Sequence, residues 1–211
     1  MSDDSTRARV IDAAIACILD EGFYRASSNK IAKRAGVTWG VIQYHFGTRE
    51  ALLLAVHERG VDELDRCLVE AEIVGDTLEA RVGSFVDALW AYYRRPEFLA
   101  YMQIMLNLSH DPTTAGSTQA ALKSVGVRVN ERVPALVRAV LGPEVPDAEV
   151  ARIGRFFYNV VRGLALDQEL LEAMPVEHST SAEFDAQRAD LIRVLADSLR
   201  RDVRNASTTA Q

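Results

Sequence analysis

Cysteine is nearly missing from these 211 residues: there are two, Cys17 and Cys67. Both fall on apolar faces of predicted helices with no Cys or His at metal-ligating spacing beside them. They read as small core residues, not as a disulfide framework or a zinc site. The four histidines, His45, His57, His110 and His178, are scattered, and none stands four residues from another as a helical metal site requires. Neither a metal nor a cofactor is expected. Long apolar runs are lacking too: no window approaches the roughly 18 consecutive apolar residues of a membrane span. The start, MSDDSTRARVID, is charged where a signal region is apolar. The expectation is a cytoplasmic chain with no membrane partner. There is no nucleophile elbow, no phosphate-binding glycine loop and no His or carboxylate cluster at catalytic spacing. An all-α enzyme survives only with a site assembled in space, and the chain reads as a non-enzyme.

Strand alternation flanked by hairpin turns is also missing, whereas helical periodicity runs almost throughout. With 48% hydrophobic residues the chain can bury a real core. The formal net charge is -6, which argues against wholesale nucleic-acid binding, but the charge is unevenly spread. From Gly22 to Arg49 stand Arg25, Lys30, Lys33, Arg34 and Arg49 with no Asp or Glu between them. A basic module is attached to an acidic body.

The helical pattern divides into about nine segments. The first, about residues 6–21, carries Val10, Ala14, Cys17 and Ile18 on one face and stops at Gly22. Ser27 offers an N-cap to a short helix ended by Gly36, and Thr38 caps a second that ends near Phe46. Two short helices joined at Ala35-Gly36-Val37 make a helix-turn-helix. Thr48 caps a long helix, Asp76-Thr77-Leu78-Glu79 has the form of a capping box, and Pro96 separates the next two helices. His110 to Ser117 is a loop by composition. Pro134 lies inside a following helical stretch, where a kink or break is expected. The helix from Ala148 to about Ala173 is apolar on more than one face. The last opens at Thr180-Ser181-Ala182-Glu183 and runs to about Arg204.

With Ile42 and Phe46 set against the module's core, about 100° per residue places Gly40, Val41 and Tyr44 on the opposite face, flanked by Trp39 and Gln43. The N-terminal part of the second helix of such a motif enters the major groove of DNA. Gly40 lets the backbone come close, and Val41 offers an apolar contact to a thymine methyl. Ser27, Thr38, Tyr44 and His45 are candidate phosphate donors, and Lys30, Lys33 and Arg49 supply charge. A plain packed helix with a solvated basic face is the competing reading.

From about Thr6 to Val56 the sequence resembles the DNA-binding region of the TetR family of transcriptional regulators. The matching residues are Gly22-Phe23, Ser27, Ile31-Ala32, Ala35-Gly36-Val37, Gly40, Tyr44-His45-Phe46 and Thr48-Arg49-Glu50-Ala51-Leu52, without a gap. The family usually has Thr at Ser27, Lys at Arg49, Tyr at Gln43 and a short polar or basic residue at Trp39. Gln43 can read adenine or hold a phosphate, and Trp39 can pack on a sugar or cover the module's core. The resemblance implies phosphate contacts at Ser27, Tyr44, His45 and Arg49 and base reading at Thr38, Trp39, Gly40 and Val41.

It also implies an all-α homodimer whose N-terminal three-helix domain, residues 1–50, binds double-stranded operator DNA. A larger effector-binding and dimerisation domain follows at 51–204, then a frayed tail at 205–211. The two-sided helix from Ala148 suits dimerisation. A repressor released by a lipophilic or aromatic small molecule is the resulting expectation, with a regulator lacking any effector as the alternative. Pocket candidates are Trp90, Tyr93, Tyr101, Met102, Met105, Phe157, Asn159 and Arg162, with Gln103 and Asn107 as further polar groups.

Overall fold

The computed structural model describes the backbone of residues 3–173 and 181–209, and their side chains except at 125–126, 128–131, 170–173, 181–184 and 202–209. Among the described residues there are nine α-helices and no strand: α1 Asp3–Glu21, α2 Ser28–Ala35, α3 Trp39–Phe46, α4 Arg49–Glu70, α5 Leu78–Tyr93, α6 Glu97–His110, α7 Gly116–Leu141, α8 Asp147–Ala173 and α9 Ser181–Thr209. The all-α expectation holds. No helix among the described residues is long and apolar enough to cross a membrane.

Local chemistry sets most of the ends. Ser27 and Thr38 sit in extended backbone as N-caps of α2 and α3, and Gly36 closes α2 in the left-handed conformation (φ 65°) that a residue with a Cβ rarely adopts. Thr48 accepts from Ala51 N–H at 3.0 Å and so caps α4. At α5 the cap is Thr77, accepting from Ala80 N–H at 3.1 Å, and not Asp76 as the box pattern suggests. Thr77 wins because the helix begins one residue later, which moves Glu79 out of the reciprocal position.

Two further expectations change. α7 continues through Pro134, so of the kink or break expected there the break does not occur. Interior proline costs about 3 kcal/mol, and the burial of Val133, Leu136, Val137 and Val140 around it offsets that cost. α9 continues to Thr209, beyond the expected end at Arg204. The box proposed at Thr180-Ser181-Ala182-Glu183 lies outside the described residues and side chains.

The chain forms two compact units, residues 1–64 with 95–129 and residues 65–94 with 130–211. The first holds α1 to most of α4, together with α6. Its core is Val10, Ala14, Ile18, Ile31, Ile42, Leu52, Leu53, Val56, Phe98 and Ile104, all buried. α4 and α6 approach closely at Gly60, where an added Cβ would lie 2.4 Å from Tyr101 Cδ2. The Tyr101 hydroxyl donates to Glu63 Oε2 at 3.1 Å, and burial, with the Glu63 charge beside it, pushes this phenol up to about 12. Arg59 joins the same carboxylate at 3.5 Å and pairs with Asp12 of α1.

In the second unit α5 packs on α8 and α9. Phe85 meets Phe157 at 5.7 Å between ring centres, amid buried Leu89, Val137, Val161, Leu195 and Leu199. Arg81 Nε donates to the Val140 carbonyl at 2.9 Å, and Arg188 pairs with Asp87. The division of function expected at residue 50 falls in the first turn of α4, through which the backbone continues without a break.

Candidate nucleic-acid interface

The interface candidates lie on α2, α3 and the turns before them, all within the first unit. Ile42 is fully buried and anchors α3, while Gly40, Gln43 and Tyr44 are exposed, Tyr44 at 79%. Trp39 and Val41 are half-buried at the rim of this face. The side chains of Ser27 and Thr38 are exposed and make no cap hydrogen bond. Among the described residues both hydroxyls, and the first N–H groups of each helix, are therefore uncommitted at the positive ends of two helix dipoles. That is the arrangement an anion such as a phosphate binds. A Cβ built on Gly40 would touch nothing nearer than Thr38 Oγ1 at 3.7 Å. Alanine would thus fit the free protein, and glycine's contribution here is room for an outside group.

The cations sort into two kinds. Lys30 pairs with Glu21 and Arg34 with Asp20 at 2.6 Å, so the acidic end of α1 holds part of the positive charge in place. Arg25 and Lys33 are exposed and carry no ion pair among the described residues. Two expected phosphate ligands turn inward. His45 has a side chain only 7% exposed and lies 3.5 Å from Asp3 Oδ1. Arg49 is half-buried: Nη2 donates to the carbonyls of Phe23 at 2.9 Å and Ala26 at 3.2 Å, Nε reaches Ala26 O at 3.4 Å, and the guanidinium stacks 5.0 Å from the Phe23 ring centre. Burial draws the Arg49 pKa below its ordinary value. The sequence left out Tyr24, 85% exposed on the turn before Arg25. Its signal was a bare aromatic inside the acid-free segment.

The effector candidates divide between the units. Tyr101, Met102 and Met105 belong to the first, where Tyr101 is buried and both methionines are half-buried. Gln103, one of the polar groups singled out, accepts from Phe23 N–H at 3.1 Å, and Asn107 donates to the Gln103 carbonyl at 2.7 Å. Trp90, Tyr93, Phe157, Asn159 and Arg162 belong to the second unit. There Tyr158, which the sequence reading passed over, gathers three of them. Its ring lies 6.1 Å from that of Tyr93 and 5.1 Å from the Arg162 guanidinium, which also donates to Asn159 Oδ1 at 3.1 Å. Tyr93 is buried, and this raises its phenol well above the usual range. Phe157 turns to Phe85, and Asn159 is exposed.

A short two-helix element with free N-termini, an exposed second-helix face and a basic flank defines a helix-turn-helix nucleic-acid-binding protein. Residues 10–56 match the family described as bacterial regulatory proteins, tetR family. Over that segment the chain is similar to the DNA-binding region of this family of regulators. The HTH-type transcriptional activator FasR of Mycolicibacterium smegmatis is 39% identical over 61 residues, 29% of this chain and 28% of FasR. The HTH-type transcriptional regulator Mb2936c of Mycobacterium bovis is 30% identical over 145 residues, 66% of this chain and 62% of that protein. The chain thus spans under two thirds of the length of both relatives. Among solved structures, a transcriptional regulator of Rhodococcus sp. Rha1 superposes with a TM-score of 0.68 at 21% identity, covering 93% of this chain and 96% of the other. FadR of Bacillus subtilis, solved in complex with stearoyl-CoA, gives 0.63 at 13% identity over 91% and 96%. These two show a shared fold.

Proposed function

We propose that the protein is a cytoplasmic transcriptional repressor that binds a pseudopalindromic operator as a homodimer and is released by a lipophilic or aromatic small molecule. The observation that carries the DNA reading is the pair of uncommitted N-cap hydroxyls, Ser27 and Thr38, beside the exposed Gly40, Gln43 and Tyr44. Ser27 and Tyr44 hold phosphates in this reading, Thr38, Gly40 and Val41 meet base edges, and Lys33 and Arg25 supply screening-sensitive charge. Residues 1–50 form the DNA-binding part and the following helices the effector and dimerisation part.

Support for a small-molecule effector comes from the Tyr93, Tyr158, Arg162 and Asn159 group, polar handles set against aromatic rings in one unit. The stearoyl-CoA bound by the FadR structure points to a long apolar effector class. Release requires that the effector bind the DNA-free arrangement more tightly, and 100-fold inequality supplies only about 2.7 kcal/mol of coupling.

Sequence selection from random duplexes tests the reading. The expected product is a two-fold symmetric site with half-sites about 34–36 Å apart. A protein that enriches no sequence over random duplex would sink the proposal. Acyl and aromatic compounds that raise the melting temperature are expected to weaken binding to the selected site.

A further inference from the structure

We infer that Arg49 is a positioning residue for DNA binding and not itself a phosphate ligand: it clamps the turn Phe23–Ala26, and through it the α2 N-cap Ser27, from the first turn of α4. The inference rests on the DNA-binding reading above, for it names how one contact of that interface is held in place. It parts from the role that resemblance gives this position.

The geometry uses one edge of the guanidinium fork. Two guanidinium nitrogens serve two carbonyls, with Nη2 at 2.9 Å from Phe23 O and 3.2 Å from Ala26 O and Nε at 3.4 Å from Ala26 O, while the planar face covers the Phe23 ring. Turning out to a phosphate would leave the Phe23 and Ala26 carbonyls without this charged donor and uncover the ring. Lysine cannot take the same place, because an ammonium is a compact charge with no plane to stack and no rigid fork to span two acceptors.

What the clamp holds is the segment that sets Ser27. Ala26 directly precedes the cap, Ser27 N–H closes back on the Arg25 carbonyl at 2.8 Å, and Ser27 stands at φ -74°, ψ 157° with its hydroxyl uncommitted. The same turn is held by a second element: Phe23 N–H donates to Gln103 Oε1 of α6 at 3.1 Å. Both polar groups of the Phe23 main chain are thus occupied by side chains from α4 and α6. Ser27 is aimed by helices outside the helix-turn-helix, and in the proposed reading Lys33, exposed and without an ion pair among the described residues, supplies charge to a phosphate.

The test compares Arg49→Lys, Arg49→Ala and Lys33→Ala in the full chain, with affinity for the selected duplex measured against salt concentration. Lys33→Ala is expected to flatten the slope of log affinity against log salt by about 0.9, the loss of one phosphate contact. Arg49→Ala and Arg49→Lys are expected to weaken binding about 10-fold with the slope unchanged. In a Ser27→Ala background, Arg49→Lys is expected to cost less than about 3-fold, since the contact it positions is already gone.

Hydrogen exchange of the DNA-free protein supplies a readout independent of DNA. Amides from Phe23 to Ile31 are expected to exchange faster in Arg49→Lys and in Gln103→Ala, with other helices unaffected. A slope flattened by about 0.9 in Arg49→Ala, an unchanged affinity in a folded Arg49→Lys, or unchanged exchange over this segment would each overturn the inference. Failure of the DNA reading looks different: the wild type then prefers no sequence, and the exchange result alone decides the clamp.

Discussion

His57 shows how a single side chain can tie this fold to pH. It sits on α4, 8% exposed, with Nδ1 lacking a hydrogen-bond partner among the described residues. Burial lowers its pKa, and a hydrogen bond that the ring donates to the Tyr101 backbone carbonyl works the other way and is the smaller effect. The folded imidazole is therefore depressed relative to its unfolded value of about 6.5. For a base the sign follows directly: above that value both states are neutral and stability is full, and below it the unfolded chain takes up the proton first. Stability is then lost as pH falls, by at most about 1.4 kcal/mol per pH unit, until the folded imidazole protonates as well. Melting temperatures at intervals from pH 7.5 to 5.5 should fall more steeply for the wild type than for His57→Gln. Equal slopes would remove His57 from the account. By contrast, Arg49 stays charged throughout, so the clamp it forms is indifferent to this range.

At the scale of elements, the meeting of α4 and α6 turns on a glycine without unusual backbone. Gly60 is helical, and alanine there gains about 1 kcal/mol in helix propensity. Its Cβ, however, would stand 2.4 Å from Tyr101 Cδ2 and 2.6 Å from Cγ, the inner atoms of a ring that is buried and tethered to Glu63 through its hydroxyl. The ring cannot swing away cheaply, so Gly60→Ala is expected to destabilise the protein by about 1–3 kcal/mol net. Urea denaturation checks this, and pairing the change with Tyr101→Val should recover part of the loss. A stabilised Gly60→Ala would mean that α6 shifts freely along α4. The same comparison shows what the sequence could convey. Helix ends set by residues inside one turn were readable: Ser27 and Thr38 stand at the expected N-cap positions, though without the side-chain bond of a cap, and Gly36 and Thr48 act where their chemistry placed them. The buried stripe of α1 was readable for the same reason, since periodicity is local. The targets of long polar side chains were not. Gln103 reaches Phe23 across 80 residues of chain and Arg49 reaches it across 26, distances at which spacing carries no information. Hence Gln103 read as a pocket group and Arg49 as an outward cation. Phe85 and Phe157, on helices far apart in sequence, met as core although one read as a pocket wall.

The whole molecule poses the question of how one short recognition helix achieves specificity. α3 has eight residues and presents only a few side chains to a groove, so the proposed reading needs a second copy on the same DNA face. In the proposed reading α8 and α9 supply the surface for it. α8 buries Val150, Ile153, Phe157, Val161 and Ala165 within its own unit, yet leaves Phe156 54% exposed beside half-buried Val160, and α9 leaves Val194 58% exposed. Large apolar side chains on two long helices suit a partner's apolar face better than water. Because Phe156 and Val194 contribute little to the unit's own core, Phe156→Glu with Val194→Glu is expected to leave the melting of the monomer fold nearly unchanged while abolishing self-association in sedimentation. Each head would then bind as an independent half. It loses the effective concentration that a linked second head provides, and operator affinity should drop at least about 100-fold. Two results would count against this arrangement. A double variant that remains dimeric places the interface elsewhere, and a monomeric variant with full operator affinity means that one recognition helix suffices.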